Sequence, residues 1–200
     1  MGDAVGGVVV LGGDKSSTRI VVNALRKRFE IQAVILEASP SRGKLLKGRV
    51  RRLGLPKALG QLAFILLSRL LSTESSGRQA EIMQASGLDA SSIDDMGPIR
   101  VPSVNDDRVI ETLKQLAPSV VVVNGTRIIS ADVLHATPAT FINSHAGITP
   151  AYRGVHGGYW ALYNDEPELC GVTVHVVDEG IDTGSVITQV TISPTPKDNF

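Results

Sequence analysis

The 200-residue sequence predicts a single α/β domain built on a mostly parallel, twisted sheet with helices on its faces. Three observations predict it. Val5 to Gly13 is an apolar run ending in Gly12-Gly13, a buried strand that enters a turn. Ile31 to Leu36 is a second such run, separated from the first by a helical pattern, the opening of a parallel strand–helix–strand unit. Ser119 to Val123 is a β-branched run of the kind found in strands buried on both faces.

The elements follow in order. Ser16 or Ser17 can cap the first helix, with Ile20, Val21, Ala24 and Leu25 on one face. Residues 41–57 are basic, with Arg42, Lys44, Lys47, Arg49, Arg51, Arg52 and Lys57, and an apolar helical stretch runs on to Leu71. Thr73 to Gly97 is polar and Ser-rich, reads as the most mobile segment and has room for at most one helix. Together they predict a basic helical insertion at about 41–97. Ile99 to Val104 reads as a short strand, and Asn105 caps a helix through Leu116 whose apolar face is Val109, Leu113 and Leu116. Ser130 to His135 is a short helix, Thr140 to His145 a strand, and Val155 to Tyr163 a helix. Val172 to Val177 and Ser185 to Ile192 are strands around an acidic, glycine-containing loop, a hairpin with a long turn.

Composition excludes several classes. Hydrophobic residues at 42% and charged residues at 20% describe a globular chain, not a disordered one. Cys170 is the only cysteine, so no intrachain disulfide forms, which fits a reducing compartment and a cytoplasmic location. No basic segment precedes the first apolar run, so it reads as a strand and not as a signal peptide. Ala58 to Leu71 contains Gln61 and Arg69 and is too short to span a bilayer. No cysteine pair or HExxH spacing points to a metal, and the GxGxxG spacing of a dinucleotide fold is absent. The zero net charge hides an asymmetry: residues 1–72 carry 13 Lys/Arg against 4 Asp/Glu, and residues 73–200 carry 7 against 16. A basic N-terminal portion is either a solvated helix surface or a face for an anionic partner such as a phosphorylated substrate.

The chemistry concentrates near the C-terminal half. Side chains alternate along a strand, so Asn143 and His145 share one face at the C-terminal end of Thr140 to His145. Ligands of open α/β sheets bind at that end. Gly147, Pro150 and Gly154 then turn the chain and allow a ligand to approach the backbone. An amide beside an imidazole suits the polarisation of a carbonyl; from spacing alone the pair serves equally as a polar cap on a loop. Asp182, within Asp178-Glu179-Gly180-Ile181-Asp182-Thr183-Gly184, is by itself an ordinary acidic loop residue. His135, His156 and His175 read as surface or packing histidines, with His156 also placed to line a substrate cleft.

In combination these pieces resemble the folate-dependent formyltransferase family, which includes phosphoribosylglycinamide, methionyl-tRNA and sugar-amine N-formyltransferases. The resemblance runs from about Pro118 to Gln189. Val121 to Ser130 is similar to the strand and loop that wall the family's folate pocket. Asn143-Ser144-His145 with Ile148-Thr149-Pro150 is similar to its catalytic strand. Tyr152-Arg153-Gly154-Val155-His156 is similar to the turn into the next helix, and Gly171 to Gly184 to the strand and loop that bear its catalytic aspartate. The resemblance implies a Rossmann-like fold, 10-formyltetrahydrofolate as formyl donor, no metal, and Asn143, His145 and Asp182 as the catalytic trio. It also implies Arg127, Ile128, Ile129 and the Asp178-Glu179-Gly180 backbone as neighbours of the pterin ring, and a further helix beyond Phe200.

The N-terminal half departs from the family. The phosphate-cradling loop of the glycinamide branch corresponds to Gly12-Gly13-Asp14-Lys15-Ser16-Ser17, where Asp14 places a negative charge that Lys15 and the two serine hydroxyls can offset; Gly12 and Gly13 are the substrate-binding candidates there. The acceptor implied is a primary amine of a small metabolite, an amino-sugar nucleotide or glycinamide ribonucleotide, with no nucleic acid partner. A homodimer is one assembly open to it. Two alternatives stand beside this reading. Water could replace the amine, giving a 10-formyltetrahydrofolate hydrolase. Or the basic stretch could make the chain an anionic-surface binding protein with a vestigial core, although aromatics at 4% offer little for base stacking.

Overall fold

The computed structural model of the protein describes residues 7–39, 54, 60, 76–195 and 198. They fall into two compact units: Met1–Ala38 with Asp89–Pro194, and Ser39–Leu88 with Thr195–Phe200. The basic stretch 41–57 and the apolar stretch to Leu71 lie outside the described residues, apart from Gly54 and Gly60.

In the larger unit, seven strands form one sheet: β1 (Val8–Gly13), β2 (Ile31–Glu37), β3 (Ile99–Val101), β4 (Val120–Asn124), β5 (Thr140–His145), β6 (Gly171–Val176) and β7 (Val186–Thr191). Their spatial order is β3-β2-β1-β4-β5-β6-β7. The first five are parallel, and β6 and β7 are antiparallel additions. The helices of this unit are α1 (Ser16–Leu25), α2 (Asp107–Leu116), α3 (Ala131–Leu134) and α4 (Gly157–Tyr163). The sheet is thus mostly parallel and flanked by helices, as expected.

Alternation along β1 feeds two cores. Val9 and Leu11 join Val109 and Leu113 of α2 and Val133 of α3 on one face, whereas Val8 and Val10 join Val22 of α1 on the other. Val109 and Leu113 are fully buried, each worth about 1.5–3 kcal/mol of transfer free energy.

Local differences from expectation have physical causes. The buried residues of α1 are Thr18, Val22 and Asn23, while Ala24 is exposed and Ile20 and Val21 are half-buried. Tertiary hydrogen bonds select this face: Asn23 Nδ2 donates to the carbonyls of Asp89 and Ser91, and Asn124 Nδ2 donates to the Thr18 hydroxyl. Neither serine caps α1; Lys15 stands at its N-cap without a side-chain bond. Asp106, not Asn105, caps α2 by accepting from the Arg108 N–H. Asn105 instead donates to the Ile128 carbonyl and accepts from Ser130 N–H, tying α2 to the loop after β4. β3 stops at Val101 because Pro102 has no N–H for the ladder.

In the smaller unit, residues 76–85 are helical and end at Gly87 with φ 60°, where Leu88 N–H returns to the Met83 carbonyl. The Arg78 guanidinium, with Thr195, holds the Asp198 carboxyl down at about 2. Among the described residues, no helix is long and apolar enough to cross a membrane.

Candidate active site

The pivot of the site is β5, parallel to β4 on one side and antiparallel to β6 on the other. Its last residues present Asn143 and His145 at the C-terminal edge of the parallel sheet. The loop after β6 returns Asp182 over them. Asp182 takes the left-handed conformation, φ 51°, which aspartate tolerates better than most residues.

The Asp182 carboxylate is surrounded. Oδ2 lies 3.3 Å from His145 Nδ1 and accepts from Gly154 N–H at 2.9 Å. Oδ1 lies 3.4 Å from His175 Nε2 and accepts from Asn143 Nδ2 at 3.5 Å. His145 is 6% exposed, and the Asp182 side chain 13%. On its other side, His145 Nε2 sits 2.9 Å from the Tyr152 carbonyl. An imidazole with a carbonyl at one nitrogen and a carboxylate at the other faces two acceptors. Each tautomer of the ring can donate to one of them. The arrangement sets an imidazole against a carboxylate, with an amide N–H alongside.

The turn from β5 to α4 is packed to hold that ring. A Cβ on Gly147 would lie 2.5 Å from the Tyr152 carbonyl oxygen and 2.7 Å from His145 Nε2, so only glycine fits. Tyr152 is buried and anchored at its far end: its hydroxyl donates to Glu166 in a short bond and accepts from Asn164 Nδ2. Glu166 pushes the phenol above its ordinary range.

A cavity of about 650 Å³ opens above these groups. Asn143, His145, His175 and Asp182 line it. Arg127, Ile128 and Ile129 of the loop after β4 form one wall, and Asp178, Gly180 and Ile181 of the loop after β6 another. The volume lies within the range of small-molecule sites. Glu37, at the end of β2, fixes the first wall. Its buried carboxylate pairs with Arg127 Nε at 2.6 Å and accepts from the N–H groups of Arg127 and Val104. The Arg127 guanidinium also donates to the Pro102 carbonyl. Asp178 organises the second wall: the Thr183 hydroxyl and Gly180 N–H hold its carboxyl below the usual range.

Glu179, Gly12, Gly13, His156 and Asp14, all singled out in the sequence, do not line the cavity. Glu179 is exposed and stands 3.7 Å from His135. Gly12 and Gly13 are buried; the Cβ space of Gly12 is filled by Thr18 and that of Gly13 by the Gly125 carbonyl. His156 is exposed at the N-cap of α4 with φ 61°. Asp14 is ion-paired with Arg100 and Arg19. Conversely, sequence reasoning left out Glu37 and set His175 aside as a surface or packing residue. His175 is 2% exposed and is the register partner of Asn143 across β5 and β6. The signal for it was the antiparallel pairing, which composition alone does not reveal. Among the described residues, no group of three or more His, Cys, Asp or Glu is arranged to hold a metal ion.

The family model described as formyl transferase matches residues 72–199. A methionyl-tRNA formyltransferase of Thermodesulfovibrio yellowstonii is 39% identical over 97 residues, which cover 48% of this chain and 31% of that protein. Phosphoribosylglycinamide formyltransferase from Streptococcus pneumoniae TIGR4 superposes with a TM-score of 0.56 at 18% identity, over 96% of this chain and 86% of that one. A sugar N-formyltransferase from Shewanella sp. gives 0.50 at 15% identity, over 94% and 58%. These structural likenesses show the fold. The aligned part of the sequence relative is less than a third of its length.

Proposed function

Since the chain belongs to the formyl transferase family, which the match over residues 72–199 establishes, we propose that it transfers a formyl group from 10-formyltetrahydrofolate to a primary amine in the cytoplasm. The acceptor in this reading is a small metabolite, such as an amino-sugar nucleotide or glycinamide ribonucleotide. The observation that carries it is the gathering of Asn143 and His145 around the Asp182 carboxylate at the floor of the cavity. The residues present fit the donor: Ile128, Ile129 and Val177 offer apolar surface to a flat ring, and Gly180 leaves backbone groups accessible to a ring edge.

In the proposed mechanism the amine attacks the formyl carbon and negative charge develops on oxygen. Asn143 Nδ2 donates to that oxygen, and the His145 imidazolium supplies compensating charge. One such donor is worth about 3 kcal/mol in the transition state. Asp182 orients His145, stabilises its charged form and accepts the proton released by the amine.

The test is calorimetric titration with 5-formyltetrahydrofolate beside donor turnover by wild type and His145→Ala. The reading expects folate binding by both proteins and a turnover loss of about 10²-fold or more in the variant. A folded protein that binds no folate would sink it. Methionyl-tRNA is a second acceptor reading, favoured by the name of the relative that is 39% identical. Supplying amino-sugar nucleotides, glycinamide ribonucleotide, methionyl-tRNA or water alone separates these acceptors by product.

A further inference from the structure

The buried imidazole of His175 has no part in the mechanism above, yet it touches two of its members. Nδ1 lies 2.8 Å from the Val176 carbonyl, an oxygen that can only accept, so Nδ1 carries a proton. In the neutral ring Nε2 is then a bare lone pair. It lies 3.3 Å from Asn143 Nδ2 and 3.4 Å from Asp182 Oδ1. These two neighbours require opposite states of that nitrogen. Neutral His175 accepts the Asn143 amide hydrogen and sets a lone pair against the carboxylate. Protonated His175 donates to Asp182 and has no lone pair left for Asn143. The other titratable groups nearby among the described residues are His145 on β5, its ring centre 6.4 Å away, and Asp178 in the loop after β6.

We propose that His175 is a positioning residue that stores the reaction proton and, by doing so, turns the Asn143 amide from its own ring toward the formyl oxygen. This rests on the formyl-transfer reading of the site. As the amine nitrogen bonds to the formyl carbon, the C=O π pair moves to oxygen and the nitrogen becomes cationic. Asp182 takes the N–H proton, directly or through water, and passes it to His175 Nε2. The Asn143 amide, no longer accepted by that nitrogen, donates to the oxyanion. On collapse the C=O re-forms, the bond to the folate nitrogen breaks, and that nitrogen takes the proton back from His175 through Asp182. No proton is gained or lost.

The experiment is imidazole and side-chain amide NMR on the uniformly ¹⁵N-labelled full chain, titrated in pH. 5-Formyltetrahydrofolate is added to the same protein in a parallel calorimetric run. His175 is expected as the Nδ1–H tautomer when neutral. On acidification Nε2 gains a proton, and the Asn143 amide resonances move with the same midpoint. A merely structural histidine would not move the Asn143 amide. A neutral Nε2–H tautomer, or an Asn143 amide that ignores His175, would overturn the inference while folate binding kept the formyl-transfer reading alive. Absent folate binding with the coupling intact would instead remove the reaction, and with it the proton's role. As a kinetic arm, His175→Gln should lower kcat about 10²-fold and leave the KM for the donor within about twofold, because glutamine can hold Asp182 but cannot cycle a proton. An unchanged kcat would likewise overturn it.

Discussion

Gly147→Ala tests whether the grip on His145 matters for turnover. The new Cβ would sit 2.5 Å from the Tyr152 carbonyl oxygen, 0.9 Å inside the 3.4 Å at which ordinary contact begins, and 2.7 Å from His145 Nε2, 0.7 Å inside it. One side is backbone and cannot swing away, so the imidazole and the Tyr152 peptide must separate. That opens the 2.9 Å bond between them. Losing a hydrogen bond of that ring costs about 0.5–1.5 kcal/mol of stability. Misplacing a reacting group by about 1 Å costs about 10²-fold in rate. Donor turnover should therefore fall about 10²-fold, while 5-formyltetrahydrofolate binding, which depends on the cavity walls, changes little. Gly158→Ala is the control: its Cβ would meet only Cys170 Sγ at 3.2 Å, and it lies within α4, where alanine is favoured by about 0.5–1 kcal/mol. Steady-state kinetics and thermal denaturation on both variants give the comparison. Turnover by Gly147→Ala within about twofold of wild type would refute the argument that this contact fixes His145.

Two further outcomes follow from the cavity walls. Glu37→Ala strands the two backbone N–H groups it accepts from and leaves Arg127 with only the Pro102 carbonyl. The cost expected is about 3 kcal/mol, moderated because the Arg127 side chain is 43% exposed, together with weaker folate binding; chemical denaturation and calorimetry measure the two. Asp178 is held below its ordinary 3.8, so its support of the second wall is full above that value and is lost as pH falls through the lower folded-state value. Amide exchange at Gly180 should accelerate there after correction for the intrinsic rate, and Asp178→Asn should abolish the pH dependence.

The parallel sheet was legible because hydrophobic runs survive any detail of packing. β5 was read as Thr140 to His145, the bounds it has in the structure, since turn residues delimit it on both sides. The face of α1 was not legible. Thr18 and Asn23 are buried by partners 66 to 106 residues away, and no local pattern encodes those partners. Asn105 and Asp106 are equally good caps by type; the choice was made by Ile128 and Ser130, which claim the asparagine. In the candidate site, Asn143 and His145 were visible from strand alternation. His175 required the knowledge that β6 runs antiparallel beside β5, and Glu37 the knowledge that two loops converge at the end of β2.

The left-handed backbone at Asp182 also constrains how the activity could be lost by drift. The position asks for a short side chain that tolerates φ 51°, and it independently asks for a carboxylate. Aspartate meets both conditions. Glutamate keeps the charge but suits the backbone poorly, while asparagine and glycine suit the backbone and lack the charge. A relative that has abandoned the chemistry can therefore keep the backbone conformation of the loop by carrying asparagine or glycine here. Inactive members of such a lineage should be recognisable from that one position.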